Sequence, residues 1–160
     1  MRLLIYLLLY AVSGGIYDLT LHTPAGETLN LSQFKGKKIL IVNIASSSRW
    51  TNQLEHLEEL QRRFDSSLVI IGVPSNSFSN EPLENEAISQ WIADKRINFP
   101  VTEKSVVSGA SQIGLYQWLQ YPVMGDYQKY LVSEQGTLIG YFSSDTDPLN
   151  YVITNAISGK

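Results

Sequence analysis

Residues 39 to 45, ILIVNIA, form a nearly unbroken apolar run rich in β-branched residues. That pattern predicts a strand buried on both faces. From Thr51 the period changes. Leu54, Leu57, Leu60 and Phe64 make one apolar stripe, with Glu55, Glu58, Glu59, Arg62 and Arg63 off it, which predicts a helix laid on a sheet. LVIIGVPS, residues 68 to 75, reads as a second buried strand closed by Pro74. Residues 84 to 93 carry another amphipathic pattern through Ile88, Trp91 and Ile92, and INFPV, residues 97 to 101, reads as a short strand. Upstream, IYDLTLHT, a PAG turn and ETLNL alternate as a hairpin does, ending in the polar turn SQFKGKK. Residues 127 to 142 hold two alternating runs around Glu134, Gln135 and Gly136, a second hairpin. Pro148 then opens a final helix with Leu149, Val152, Ile153 and Ala156 on one face. The order predicts an α/β domain with a central mixed sheet flanked by helices.

The first residues, MRLLIYLLLYAVSGG, set Arg2 before an apolar run from Leu3 to Val12 and then small residues. The run is short of the roughly 20 residues that a spanning helix needs, and its flanks suit a cleaved signal peptide. Residues 1–14 are therefore expected to be a signal segment and 15–160 one domain, exported to the periplasm or secreted. An uncleaved N-terminal membrane anchor and a buried strand are the other readings. The 160 residues are 44% apolar with a formal net charge of −3, and the basic residues are scattered. No basic stripe of the kind a phosphate backbone requires is present, so no nucleic-acid partner is expected. The chain has no cysteine, which removes disulfides, thiolate metal sites and thiol catalysis together. No His, Asp or Glu group has ligand spacing, so neither a metal nor a cofactor is expected. Glu81, Glu84 and Glu86 read as an acidic loop and helix start, on the favourable end of the helix dipole.

Several separated phrases then carry a resemblance. VNIASSSRWTNQ, residues 42 to 53, resembles the strand and helix start written V-N-V-A-S-x-C-G-x-T-x-Q in glutathione peroxidases. VPSNSF, residues 73 to 78, is similar to that family's FPCNQF loop, and FPVTEK, residues 99 to 104, matches a later phrase. DYQKYLVSEQG, residues 126 to 136, resembles W-N-F-x-K-F-L-V-x-x-x-G from its second position onward. The resemblance runs from about Ile16 to Pro148 and implies a thioredoxin-like fold of glutathione peroxidase type.

The same correspondence denies the family's chemistry. The peroxidatic cysteine or selenocysteine falls on Ser48, the glutamine on Ser77, and the tryptophan and asparagine on Gly125 and Asp126. All four catalytic positions are thereby substituted. A thiolate reduces peroxide by becoming a sulfenic acid, and a serine oxygen has no such ladder. The resemblance thus implies a pseudoenzyme that acts by binding a partner. Beside Ser48, Arg49 and Trp50 replace a glycine and an apolar position; they read either as an interface pair or as a packed Trp with a solvated Arg.

Two enzymatic alternatives stay open at this level. One is a peroxidase using glutathione or thioredoxin, whose native gene carries cysteine at position 48. The other is a Ser48 hydrolase, which needs an oriented base. The available histidines are His22 and His56, and His56 is on the order of 10 Å along the helix from position 48. Both read as surface histidines. Tyr116, Trp118, Tyr121, Tyr127 and Tyr130 add an aromatic-rich stretch, in which the resemblance implies that Tyr127 and Tyr130 are core aromatics.

Overall fold

In a computed structural model the described residues are 14–160; the expected signal segment, residues 1–14, lies outside them apart from Gly14. In chain order the elements are β1 (Thr20–His22), β2 (Thr28–Asn30), β3 (Lys38–Ile44), α1 (Gln53–Arg63) and β4 (Leu68–Pro74). They continue with α2 (Asn85–Asp94), α3 (Gly114–Leu119), β5 (Lys129–Val132), β6 (Leu138–Phe142) and α4 (Tyr151–Ser158). Single turns of 3-10 helix cover Ile16–Asp18 and Leu31–Phe34.

The central sheet has the order β4-β3-β5-β6, and β1 and β2 form the expected separate hairpin. β3 runs parallel to β4 and antiparallel to β5, which makes the sheet mixed. Alternation along β3 divides the core in two. Ile39 and Ile41 join Ile71, Val73, Tyr116, Tyr130 and Val132 on the face covered by the hairpin and α3. Leu40, Val42 and Ile44 join Leu54, Leu57, Leu60, Ile153 and Ile157 on the face covered by α1 and α4. Each of the aliphatic side chains among these contributes about 1.5–3 kcal/mol by leaving water.

Three elements differ from the sequence reading. Residues 97–101 do not form a strand: only Val101 bridges Gly72, because Pro100 contributes a carbonyl to Gly72 N–H but has no N–H of its own. The last helix starts at Tyr151, later than Pro148, because the Asn150 side chain accepts from Val152 N at 2.9 Å and caps it there. Its register leaves Val152 exposed and buries Ile157. The six-residue α3 buries Leu115, Tyr116 and Leu119, a helix too short to give a clear period. In the β5–β6 turn, Gly136 has φ +80°, and a Cβ there would stand 2.7 Å from the Tyr17 ring. Both facts require glycine.

Lys129 opens β5 with its side chain out of water. Its Nζ donates to the carbonyls of Tyr127 at 2.7 Å, and of Ser143 and Ser144 at 3.4 Å. It thereby ties the start of β5 to the loop after β6. Burial pulls its pKa down to about 8, against the opposing fields of Asp147 and Asp145. The folded state releases this proton at lower pH than the unfolded chain does, so stability gains as pH rises through 8 toward the unfolded value. The buried Tyr116, Tyr127 and Tyr130 have raised pKa values, chiefly from burial, and act oppositely above about 10. Urea unfolding should therefore show stability increasing by about 2 kcal/mol from pH 8 to 10 and falling beyond it. The rising limb should vanish in Lys129→Met.

Candidate functional site

The site begins where β3 leaves the sheet. After Ile44 the chain turns at residues 46–52, and α1 starts only at Gln53. Ser48 thus sits a turn ahead of the helix rather than on its N-terminus. Its backbone N–H donates to Ala45 O at 3.4 Å, and its carbonyl accepts from Thr51 N at 3.1 Å and from the Thr51 hydroxyl. The Ser48 hydroxyl is 7% exposed as a residue and accepts from Trp50 N at 3.3 Å, its one hydrogen bond among the described residues.

The turn is held from below by the loop after β4. Glu81, read from sequence with Glu84 and Glu86 as an acidic loop and helix start, is fully buried. Its carboxylate accepts from Ser46 N at 2.8 Å, from the Ser46 hydroxyl at 2.7 Å and from Leu83 N at 3.1 Å. Its own N–H donates to Asn76 Oδ1 at 3.0 Å. Three donors on one carboxylate offset the cost of burying its charge. Only Glu84 and Glu86 behave as read, flanking the start of α2, with Glu84 also paired to Lys104 at 2.7 Å.

Asn80 links a third segment to the same turn. Its carbonyl accepts from Ser47 N at 3.0 Å while its side chain donates to Asp126 Oδ2 at 2.6 Å. Asp126 is 4% exposed, and its Oδ1 has no hydrogen-bond partner among the described residues. Next to it, Gly125 O accepts from Asn43 Nδ2 at 2.8 Å. Tyr127 takes φ 59°, sparsely allowed for a bulky residue, and donates from its N–H to Asn43 O at 2.6 Å. Its hydroxyl reaches Ala45 O at 3.3 Å, beneath Ser48.

Ser48 and Asp126 are thus both tied through Asn80 and the turn, and no hydrogen bond links Ser48, Ser77, Gly125 and Asp126 to one another among the described residues. Ser77 turns away. Its hydroxyl meets Ser75 Oγ at 3.0 Å and accepts from Val107 N at 3.1 Å. At Gly125 a Cβ would lie 3.1 Å from Ser144 Oγ, so a larger side chain requires Ser144 to turn aside.

Neither histidine hydrogen bonds to Ser48. His56 Nδ1 lies 2.6 Å from Asp147 Oδ2, pinning the loop after β6 onto α1 beside a second tie from Gln53 Nε2 to Ser144 O at 2.7 Å. His22 Nδ1 is 3.8 Å from Glu103 on the hairpin side. Among the described residues, no three His, Asp or Glu side chains converge as metal ligands.

Trp50 is partly buried against the α1 and α4 core, and the Arg49 guanidinium lies 4.6 Å from its ring centroid. The two line a cavity of about 420 Å³ with Met124, Gly125, Tyr141 and Asp145. The Asp145 carboxyl titrates below its usual range, mainly through a hydrogen bond from Ser143, with Lys129 and Arg49 contributing. Sequence reading found Arg49 and Trp50 but not the wall opposite, which comes from segments about 75 to 95 residues further along.

The mixed sheet with helices on both faces and an N-terminal hairpin defines a thioredoxin-like protein. T. cruzi GPX1 shares that fold with a TM-score of 0.67 at 18% identity, covering 89% of this chain and 93% of that one. The apo crystal structure of Trgpx superposes with a TM-score of 0.71 at 28% identity, covering 91% of this chain and 97% of that one. The family model for glutathione peroxidase matches residues 16–120. Glutathione peroxidase-like peroxiredoxin 2 of Saccharomyces cerevisiae is 34% identical over 144 residues, 82% of this chain and 89% of that protein. A glutathione peroxidase of Lactococcus lactis is 32% identical over 143 residues, 82% of this chain and 91% of that protein. The chain belongs to the glutathione peroxidase family.

The Glu81 carboxylate is expected to be structural. Glu81→Ala should lower stability by about 3 kcal/mol, as a buried group stripped of its partner does, and Glu81→Gln by less. Equilibrium urea denaturation of the three proteins checks the order.

Proposed function

We propose that this chain is a glutathione peroxidase family member without thiol peroxidase activity, acting by binding a partner at the face of Arg49 and Trp50. The observation that carries the reading is Ser48. An oxygen stands where the family's chemistry requires sulfur, in a chain that contains no cysteine at any position. Free cysteine ionises near about 8.5 and lower beside positive charge, whereas a serine hydroxyl offers neither that ionisation nor a sulfenic acid. The other sulfurs, Met1 and Met124, have no partner thiol to regenerate them. A hydrolase at Ser48 lacks its base, since both histidines are engaged elsewhere.

The binding half of the proposal rests on the cavity. It joins an aromatic ring, a guanidinium and the exposed Met124 with the Asp145 carboxylate, a mix suited to a protein surface. The same reading has the chain exported by residues 1–14.

Purified protein should consume neither hydrogen peroxide nor a lipid hydroperoxide above a boiled control, with glutathione or with thioredoxin as donor. Turnover would overturn the proposal. Ser48→Cys alone should yield at most a slow thiol, because Ser77, Gly125 and Asp126 do not supply the donors that stabilise the thiolate and the departing oxygen. Fast turnover by that variant would show that those three positions are misassigned. Native-extract proteins retained by the wild type and lost with Trp50→Ala and Arg49→Ala test the binding face.

A further inference from the structure

Four tyrosines run from the core to the surface. Tyr116 and Tyr130 meet edge to face with centroids 6.0 Å apart, and Tyr130 and Tyr141 are 5.7 Å apart. Tyr141 and Tyr121 stack at 5.8 Å with their planes 21° apart. Exposure divides the row. Tyr116 and Tyr130 are at most 1% exposed, while Tyr141 is 44% and Tyr121 52% exposed.

The two halves differ in where a proton can go. A phenol that gives up one electron must also release its proton, because its radical cation is strongly acidic. Tyr130 donates to Pro122 O at 3.3 Å and accepts from Gln128 Nε2 at 2.8 Å, so its only acceptor is a carbonyl that cannot keep a proton. The Tyr116 hydroxyl has no hydrogen-bond partner among the described residues. At Tyr121 and Tyr141, water takes the proton. Oxidation therefore settles on the outer pair, whose rings are already in contact.

We propose that Tyr121 and Tyr141 form an oxidative cross-linking site, at which an external one-electron oxidant such as an oxidised haem peroxidase joins the two rings. Each phenol loses one electron to the oxidant and one proton to water. The two phenoxyl radicals form a carbon–carbon bond at positions ortho to their oxygens, and the ring hydrogens shift to oxygen to restore aromaticity. Two tyrosines thus give one dityrosine, two protons and two electrons, and two equivalents of oxidant are reduced. With hydrogen peroxide as the ultimate oxidant, the balance is one peroxide converted to two waters.

The position gives the bond a structural consequence. β6 is the edge strand of the sheet, and Tyr121 lies in the loop between α3 and β5. That loop also carries Met124 and Gly125, which share a cavity with Tyr141, Arg49 and Trp50. A bond from Tyr121 to Tyr141 would fix this wall to the sheet edge. Contact also favours the pair over Tyr151, which is 72% exposed but has no aromatic ring stacked on it among the described residues.

The test treats the full chain at low concentration with a haem peroxidase and limiting hydrogen peroxide. The expected product runs as a monomer on a denaturing gel, shows dityrosine emission and is two hydrogens lighter, with the bond mapped to Tyr121 and Tyr141 by peptide fragmentation. Tyr121→Phe and Tyr141→Phe keep the rings and should each reduce the monomeric product roughly tenfold, while Tyr151→Phe leaves it unchanged. Linkage mainly between chains, a bond mapped to other residues, absence of dityrosine, or undiminished product in both Phe variants overturns the proposal. The peptide map of the wild type decides the matter even where a variant fails to fold.

Discussion

The structure depends on the burial of β3 from both sides. Pairing with β4 on one edge and β5 on the other satisfies its backbone groups, so that Ile39 to Ile44 can lie out of water entirely. Alternation then assigns each residue to one of two cores, and a shift by one residue would exchange them. The strand also has a fixed exit. Its last residues deliver Ala45, Ser46 and Ser48 to the rim, and Asn43 holds Gly125 and Tyr127 from within the strand. Register in the sheet is therefore register in the site.

What was legible in the sequence follows from this constraint. β3, β4 and α1 carry long periodic patterns because they are buried over their whole length or along one full stripe. Tyr127 and Tyr130, expected in the core from the resemblance alone, are fully buried, one in each of the two cores. Glu81 was not. Its burial depends on three donors, two of them from a residue 35 positions earlier in the chain, and nothing in its neighbours Glu84 and Glu86 distinguishes it. The short α3 and the cap at Asn150 were hidden for a related reason: a six-residue helix has under two turns of period, and a cap is decided by one side chain.

The same distinction governs the candidate site. Ser48, Ser77, Gly125 and Asp126 were singled out by the phrases in which they stand, whereas their relations to one another had no such signal. Ser77 bonds within its own loop, Asp126 bonds to Asn80, and the wall facing Arg49 and Trp50 comes from segments on either side of β5 and β6. Tertiary pairings of this kind have no local signature.

On the proposed reading, the geometry lets the scaffold outlast the chemistry. Every contact that shapes the turn runs through backbone groups of residues 45–48 or through Ser46, Thr51, Asn80, Glu81 and Tyr127. The side-chain atom of residue 48 contributes one long hydrogen bond, at 3.3 Å to Trp50 N. Exchange of sulfur for oxygen at that atom therefore leaves the turn's support intact, and the fold exerts no pressure to retain the thiol. Position 125 is different in kind. Where a glycine stands, Ser144 occupies the adjoining space, and the loop carrying Ser144 is anchored by Lys129, Gln53 and His56. A Cβ at position 125 would meet only the Ser144 hydroxyl within 4 Å, at 3.1 Å, so a larger residue there requires that hydroxyl to shift by a few tenths of an ångström while the rest of the side chain faces the cavity. On the proposed reading the loss of chemistry at Ser48 was structurally free, and a larger residue at position 125 asks the anchored loop for no more than a turn of Ser144.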